Sequence, residues 1–125
     1  MNYRHAFHAG NFADVLKHIV LSRVLVHLRE KPGAFRVIDT HAGAGLYDLS
    51  SNEAVRGGEW QDGIGRLMDA SLPKQVAELL APYLDAIRAF NPGGKLRSYP
   101  GSPVLAQHFL RPQDRLIACE LEPYA

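Results

Sequence analysis

The chain has 125 residues, the size of one ordinary domain, and 46% of them are hydrophobic, enough for a packed core and too many for a disordered segment. A formal net charge of +1 excludes a chain that binds nucleic acid through bulk charge alone. The single cysteine excludes an intrachain disulfide, and no apolar run approaches the roughly 18 residues of a membrane span, so no membrane partner and a cytoplasmic location are expected.

Residues 1–10, MNYRHAFHAG, lack helical or strand periodicity and read as a short polar arm. Aromatics interleaved with basic groups suit stacking on bases and contact with phosphate. Packing as a plain terminal arm is the competing reading. His5 and His8 lack a second pair of metal ligands, so no metal is expected. Asn11 then reads as an N-cap, with Asp14 in the capping-box position. A helix to about Lys31 follows. Val15, Leu16, Ile19, Val20, Val24, Leu25 and Leu28 form its apolar face, with Asp14, His18 and Ser22 on another stripe and Lys17 beside it. Lys31-Pro32-Gly33 ends it.

A short β-rich run, Phe35 to Ile38, leads to Asp39 and the turn Thr40-His41-Ala42-Gly43-Ala44-Gly45. A glycine turn at the carboxyl end of a parallel strand is the usual ligand site of an open α/β sheet. Here it is only G-x-G, because Asp48 stands where the dinucleotide fingerprint has its third glycine. Residues 48–70 are polar and glycine-rich, with a short helix expected around Gly65 to Asp69. From Leu72 to Phe90 the apolar positions follow helical spacing, and Pro82 inside them predicts a kink or two short helices.

An extended piece, Leu96 to Tyr99, precedes Pro100-Gly101-Ser102-Pro103. Ser102 reads as the N-cap of a helix from Pro103 to about Leu110. A second core strand, Arg115 to Cys119, ends in Glu120, and Cys119 reads as a small buried hydrophobe. In nucleotide-binding α/β folds, an acid about 20 residues past the glycines bonds the ribose hydroxyls. Glu120 lies 75 residues past Gly45, and removing an insert of 48–95 restores a normal gap. Without that insert the layout is a βαβ unit.

Three stretches then carry a resemblance. Tyr3-Arg4-His5-x-Phe7-His8-Ala9-Gly10-Asn11-x-Ala13-Asp14-Val15-Leu16-Lys17-His18, Asp39-Thr40-His41-Ala42-Gly43-Ala44-Gly45-x-Tyr47 and Tyr99-Pro100-Gly101-Ser102-Pro103 together resemble the RlmJ family. That family comprises bacterial S-adenosylmethionine-dependent methyltransferases of adenine N6 in 23S rRNA. The resemblance implies an α/β fold: a partial Rossmann-like methyltransferase domain with an inserted helical subdomain. Its parts would be 1–47 (arm, first helix, first strand and cofactor turn), 48–95 (the insert) and 96–125 (the continuation). The resemblance further implies cofactor contacts from His18, His41, Ser102 and Glu120, with Lys17 and Gly43 adjoining. Tyr3, Arg4 and His5 would lie toward the substrate RNA.

Enzymes of this kind carry an Asp-Pro-Pro-Tyr-type motif that holds the extruded base. Pro82-Tyr83 and Pro123-Tyr124 lack the preceding acid-proline pair, so no catalytic residue is assigned in this segment. The chain reads as the N-terminal part of the family sequence, inactive alone and prone to self-association through an exposed sheet edge. An NAD-type oxidoreductase fragment and a noncatalytic RNA-binding module are the alternatives.

Overall fold

A computed structural model describes residues 5–121. The arm is more ordered than its composition suggests, since a short helix α1 spans His5–His8. Helix α2, Phe12–Arg29, starts at the predicted cap: the Asp14 N–H donates to the Asn11 side chain at 2.9 Å. The capping box itself is displaced. Asp14 accepts from the Gly10 N–H at 3.1 Å rather than from Asn11.

The expected apolar face of α2 is rotated. His18, Ser22 and Leu25 are its buried residues, while Phe12 (77% exposed), Leu16, Val20 and Val24 face outward along one stripe. The polar pair is tolerated inside because both side chains are bonded, Ser22 to the His18 carbonyl and His18 to Tyr99.

Strands β1 (Arg36–Asp39) and β4 (Arg115–Ala118) pair in parallel, with Arg36 opposite Arg115 and Asp39 opposite Ala118. The predicted extended piece near Tyr99 becomes β3, Ser98–Pro100, which pairs antiparallel with an unforeseen β2, Leu46–Asp48. Between β2 and β3 lie α3 (Asn52–Gly57), a π-type turn (Gln61–Gly65), α4 (Arg66–Asp69) and α5 (Lys74–Ala89). Helix α5 runs unbroken through Pro82, so two short helices do not form. Gly63 makes the tight fit under α2 possible: a Cβ there would sit 2.1 Å from the Gly10 carbonyl oxygen.

Helix α6, Ser102–Phe109, follows β3 directly. Its N-cap is Gly101, not Ser102, which lies inside the first turn with its hydroxyl turned elsewhere. Cys119 is exposed rather than buried, as are Arg115, Ile117 and Ala118 of the strand it follows, so β4 is not the core strand expected.

The core gathers around Tyr83, Tyr99, Leu25, Leu49, Ile64, Ile87 and Leu105. Val37 and Leu116 turn the inner face of the parallel pair toward it. Ile38 (60% exposed) and Ile117 stand on the outer face. The alternation follows from the two-residue period of a strand.

Two buried polar side chains fix the connections. Asn91 donates to the Ile87 and Ser98 carbonyls and accepts from the Arg97 and Ser98 N–H groups, tying the end of α5 to β3. Asp114 accepts from the Phe35 N–H at 3.0 Å and from Arg111 at 2.9 Å. The Arg111 guanidinium in turn donates to the carbonyls of Arg29, Lys31 and Gly33. One ion pair therefore aligns the starts of both parallel strands with the end of α2.

Candidate functional site

The two parallel strands end side by side, and the site grows from those ends. Past β1 the ladder continues through the turn: the Cys119 N–H donates to the Asp39 carbonyl at 2.8 Å, and the Ala42 N–H to the Cys119 carbonyl at 2.9 Å. Gly43 then takes a positive φ of 65° and aims its N–H at Glu120, whose Oε2 accepts it at 2.5 Å. A side chain 77 residues away thus closes the glycine turn.

Beside this turn lies an open cleft of about 390 Å³, lined by Lys17, His18, Asp39, Thr40, His41 and Ser102 with an apolar floor that includes Leu21, Val37 and Ala106. Helix α2 delivers Lys17 and His18, β1 delivers Asp39, and α6 delivers Ser102. The Ser102 hydroxyl donates to Asp39 Oδ2, linking the first turn of α6 to the end of β1. Asp39 also accepts from the His41 N–H at 3.3 Å, and Thr40 Oγ1 meets His41 Nδ1 at 2.9 Å. The exposed Lys17 ammonium pairs with Asp14 at 3.3 Å.

His18 is the buried member of the set, 4% exposed. Its Nδ1 meets the Tyr99 hydroxyl at 2.7 Å, the two rings stack, and the Tyr99 hydroxyl meets that of Tyr83 at 2.9 Å. Burial disfavours the imidazolium and lowers the His18 pKa to about 4, with Lys17 adding to the fall and Asp14 and Asp39 opposing it. Burial likewise pushes both tyrosine hydroxyls well above their usual range. At neutral pH the whole chain of rings is uncharged.

The cleft therefore brings together Lys17, His18, His41 and Ser102. Gly43 and Glu120 are joined to each other further along the same turn and do not line the cleft. His5 opens α1, while Tyr3 and Arg4 lie outside the described residues. Two participants were not singled out as ligand contacts from sequence. Asp39 is visible there only as an acid at a strand end, and Tyr99 only as part of a motif. The signal for Asp39 was its place directly before the glycine turn; for Tyr99 there was none short of the fold.

The second tyrosine of interest, Tyr83, is sealed in the core with Tyr99 as its hydrogen-bond partner. The cleft itself offers the Lys17 cation, the Asp39 carboxylate, the Thr40 and Ser102 hydroxyls and the His18 and His41 imidazoles around one small concavity, with the Glu120 carboxylate further along the same turn. Such a set suits a small ligand that carries hydroxyls and charges of both signs.

A family model described as "Ribosomal RNA large subunit methyltransferase D, RlmJ" matches residues 32–125. The chain is 50% identical over 125 residues to ribosomal RNA large subunit methyltransferase J of Haemophilus influenzae, and 51% identical over 124 residues to the protein of that name from Escherichia coli. Each match takes in 98% of this chain and 43% of the relative, so the chain spans less than half the length of the curated relatives it matches. Among solved structures, protein LPL1258 of Legionella pneumophila superposes with a TM-score of 0.80 at 42% identity, covering 93% of this chain and 41% of that one. The mixed helix–strand architecture is consistent with an α/β methyltransferase-like fold. On the extent of the family match and the level of identity, the chain belongs to the RlmJ family of ribosomal RNA large subunit methyltransferases.

Proposed function

We propose that this chain supplies the cofactor-binding part of an S-adenosylmethionine-dependent methyltransferase acting on adenine N6 of 23S rRNA. The bond from the Gly43 N–H to Glu120 carries the proposal, because it joins the glycine turn of β1 to the acid beyond β4, where α/β folds hold an adenosyl ribose.

The residues fit the group chemically. A carboxylate can accept from a backbone N–H and from ligand hydroxyls together, which suits Glu120 to a ribose diol. Lys17 and Asp39 offer opposite charges to the carboxylate and ammonium of an amino-acid tail, and His18 and His41 lie beside them. When bound, the cofactor supplies an electrophilic methyl group. The role of this chain's residues is to bind and orient, and effective concentration is the main contribution of such a site.

Residues 48–95 read as an inserted helical subdomain, bracketed by the β2–β3 pair. Tyr3, Arg4 and His5 are assigned to the RNA. The chain holds no Asp-Pro-Pro-Tyr run, and Tyr83 is committed to the core, so this segment alone is expected to be inactive on RNA.

Calorimetric titration with S-adenosylhomocysteine tests the reading, with NAD as the contrasting ligand. Binding of S-adenosylhomocysteine alone is expected, weakened about tenfold by Glu120→Ala, the worth of a charge-assisted hydrogen bond. Preference for NAD, or an unchanged affinity in the variant, would refute it.

A further inference from the structure

The buried rings His18, Tyr99 and Tyr83 form a chain in which protons can be counted. Each tyrosine hydroxyl carries one proton, and a neutral imidazole carries one, on Nδ1 or on Nε2. The Tyr83 hydroxyl has a single hydrogen-bond partner among the described residues, the Tyr99 oxygen. If His18 carried its proton on Nδ1, it would donate to Tyr99, Tyr99 would donate to Tyr83, and the Tyr83 proton would be sealed in the core with no acceptor. An unmet buried donor costs about 1–3 kcal/mol. In the reverse order nothing is left over. Tyr83 donates to Tyr99, Tyr99 donates to His18 Nδ1, and the imidazole proton resides on Nε2.

The structure also shows where that nitrogen goes. His18 Nε2 makes no hydrogen bond among the described residues. It is nevertheless not sealed, because among those residues Trp60 Nε1 is the one side-chain nitrogen or oxygen both shut off from solvent and without a partner. His18 lines the cleft, so the ring edge left open is the one facing it.

We propose that Tyr83 and Tyr99 are positioning residues that lock His18 as the Nε2–H tautomer, making it a fixed hydrogen-bond donor to an acceptor oxygen of the ligand in the cleft. The proposal deepens the cofactor reading, on which the identity of the ligand rests. It also ties the cleft to the helical segment, since Tyr83 is carried by α5 and Tyr99 by β3. A carboxylate or hydroxyl oxygen can accept from such a donor, whereas an ammonium, itself only a donor, cannot.

Long-range nitrogen–proton NMR on the 15N-histidine-labelled protein reads the tautomer directly. Without ligand, His18 is expected to show an unprotonated Nδ1 and a protonated Nε2 at neutral pH. A predominant Nδ1–H form, or an even mixture, overturns the relay without any variant being needed. In Tyr99→Phe the tautomer preference is expected to collapse toward a mixture, and affinity for S-adenosylhomocysteine to fall about tenfold. A Tyr99→Phe protein that keeps the wild-type tautomer overturns the role of Tyr99. Tyr83→Phe, which leaves the Tyr99–His18 bond in place, is expected to weaken the preference less.

On titration with S-adenosylhomocysteine the Nε2–H resonance should shift. A saturable complex that leaves it unmoved overturns the donor role. Failure of S-adenosylhomocysteine to bind at all overturns the cofactor reading instead, while the tautomer of the free protein still decides the relay.

Discussion

Acidification should destabilise this fold well above the range where carboxylates protonate, and His18 sets the size of the effect. In the unfolded chain its imidazole titrates at the ordinary value of 6.5, and in the folded chain at about 4. Above pH 6.5 both states are neutral there and stability is intact. As the pH falls through 6.5 the unfolded chain takes up a proton that the folded chain refuses, so stability declines, and the decline ends once the pH passes below the folded value. The whole shift corresponds to about 3 kcal/mol, of which about 2 kcal/mol is lost between pH 7 and pH 5. That is a large fraction of the roughly 5–15 kcal/mol typical of a domain. Urea denaturation at the two pH values measures it, with His18→Gln as the comparison. The variant should show a much flatter response. The reasoning is refuted if His18 titrates above pH 6 in the folded protein, or if His18→Gln loses stability as steeply as wild type.

Further consequences follow from other contacts. Gly101→Ala would place a Cβ 2.4 Å from the Ala44 carbonyl oxygen, so the glycine turn must move; a stability loss of about 1–3 kcal/mol and weaker S-adenosylhomocysteine binding are expected by melt and calorimetry. Asn91→Ala strands the Arg97 and Ser98 N–H groups and should cost about 3 kcal/mol in urea denaturation; under about 1 kcal/mol would contradict the bonding described. Hydrogen bonds from Arg111 hold the Asp114 carboxyl down at about 2, so its contribution is present above the ordinary carboxylate range and fades as the pH falls toward 2. Asp114→Asn should therefore remove a step in stability lying below that of His18.

Much of this arrangement is legible in the sequence because local signals and tertiary demand coincide. Phe35 to Asp39 and Arg115 to Cys119 have the composition of parallel strands, and they pair in parallel, although their side chains are half-buried or exposed rather than buried. Asn11 caps the helix that its type and position predict. The exceptions share a cause, a tertiary partner that local pattern cannot reveal. His18 and Ser22 look solvated by type, yet they are buried because Tyr99, 81 positions away, and the helix backbone satisfy them. Ser102 has the type and spacing of a cap, but Asp39 claims its hydroxyl and Gly101 takes the cap position. Strand β2 was invisible because its three residues, Leu46–Asp48, owe their extended form to pairing with β3. The coming together of Lys17, His18, His41 and Ser102 in one cleft was supplied by the family resemblance rather than by any pattern within the chain.

The parallel ladder has a kinetic consequence. Arg36 and Arg115 face each other across a separation of 79 residues, so zipping these strands before anything else forms would carry a chain-closure cost of about 4 kcal/mol. Collapse of α5 onto α2 and capture of β3 by β2 shorten the effective tether first. Refolding should then proceed from the helical middle outward, with the ends of the two distant strands among the last parts to register. Damage to the middle, as in Asn91→Ala, would slow the appearance of ligand affinity although the altered residue lies outside the cleft.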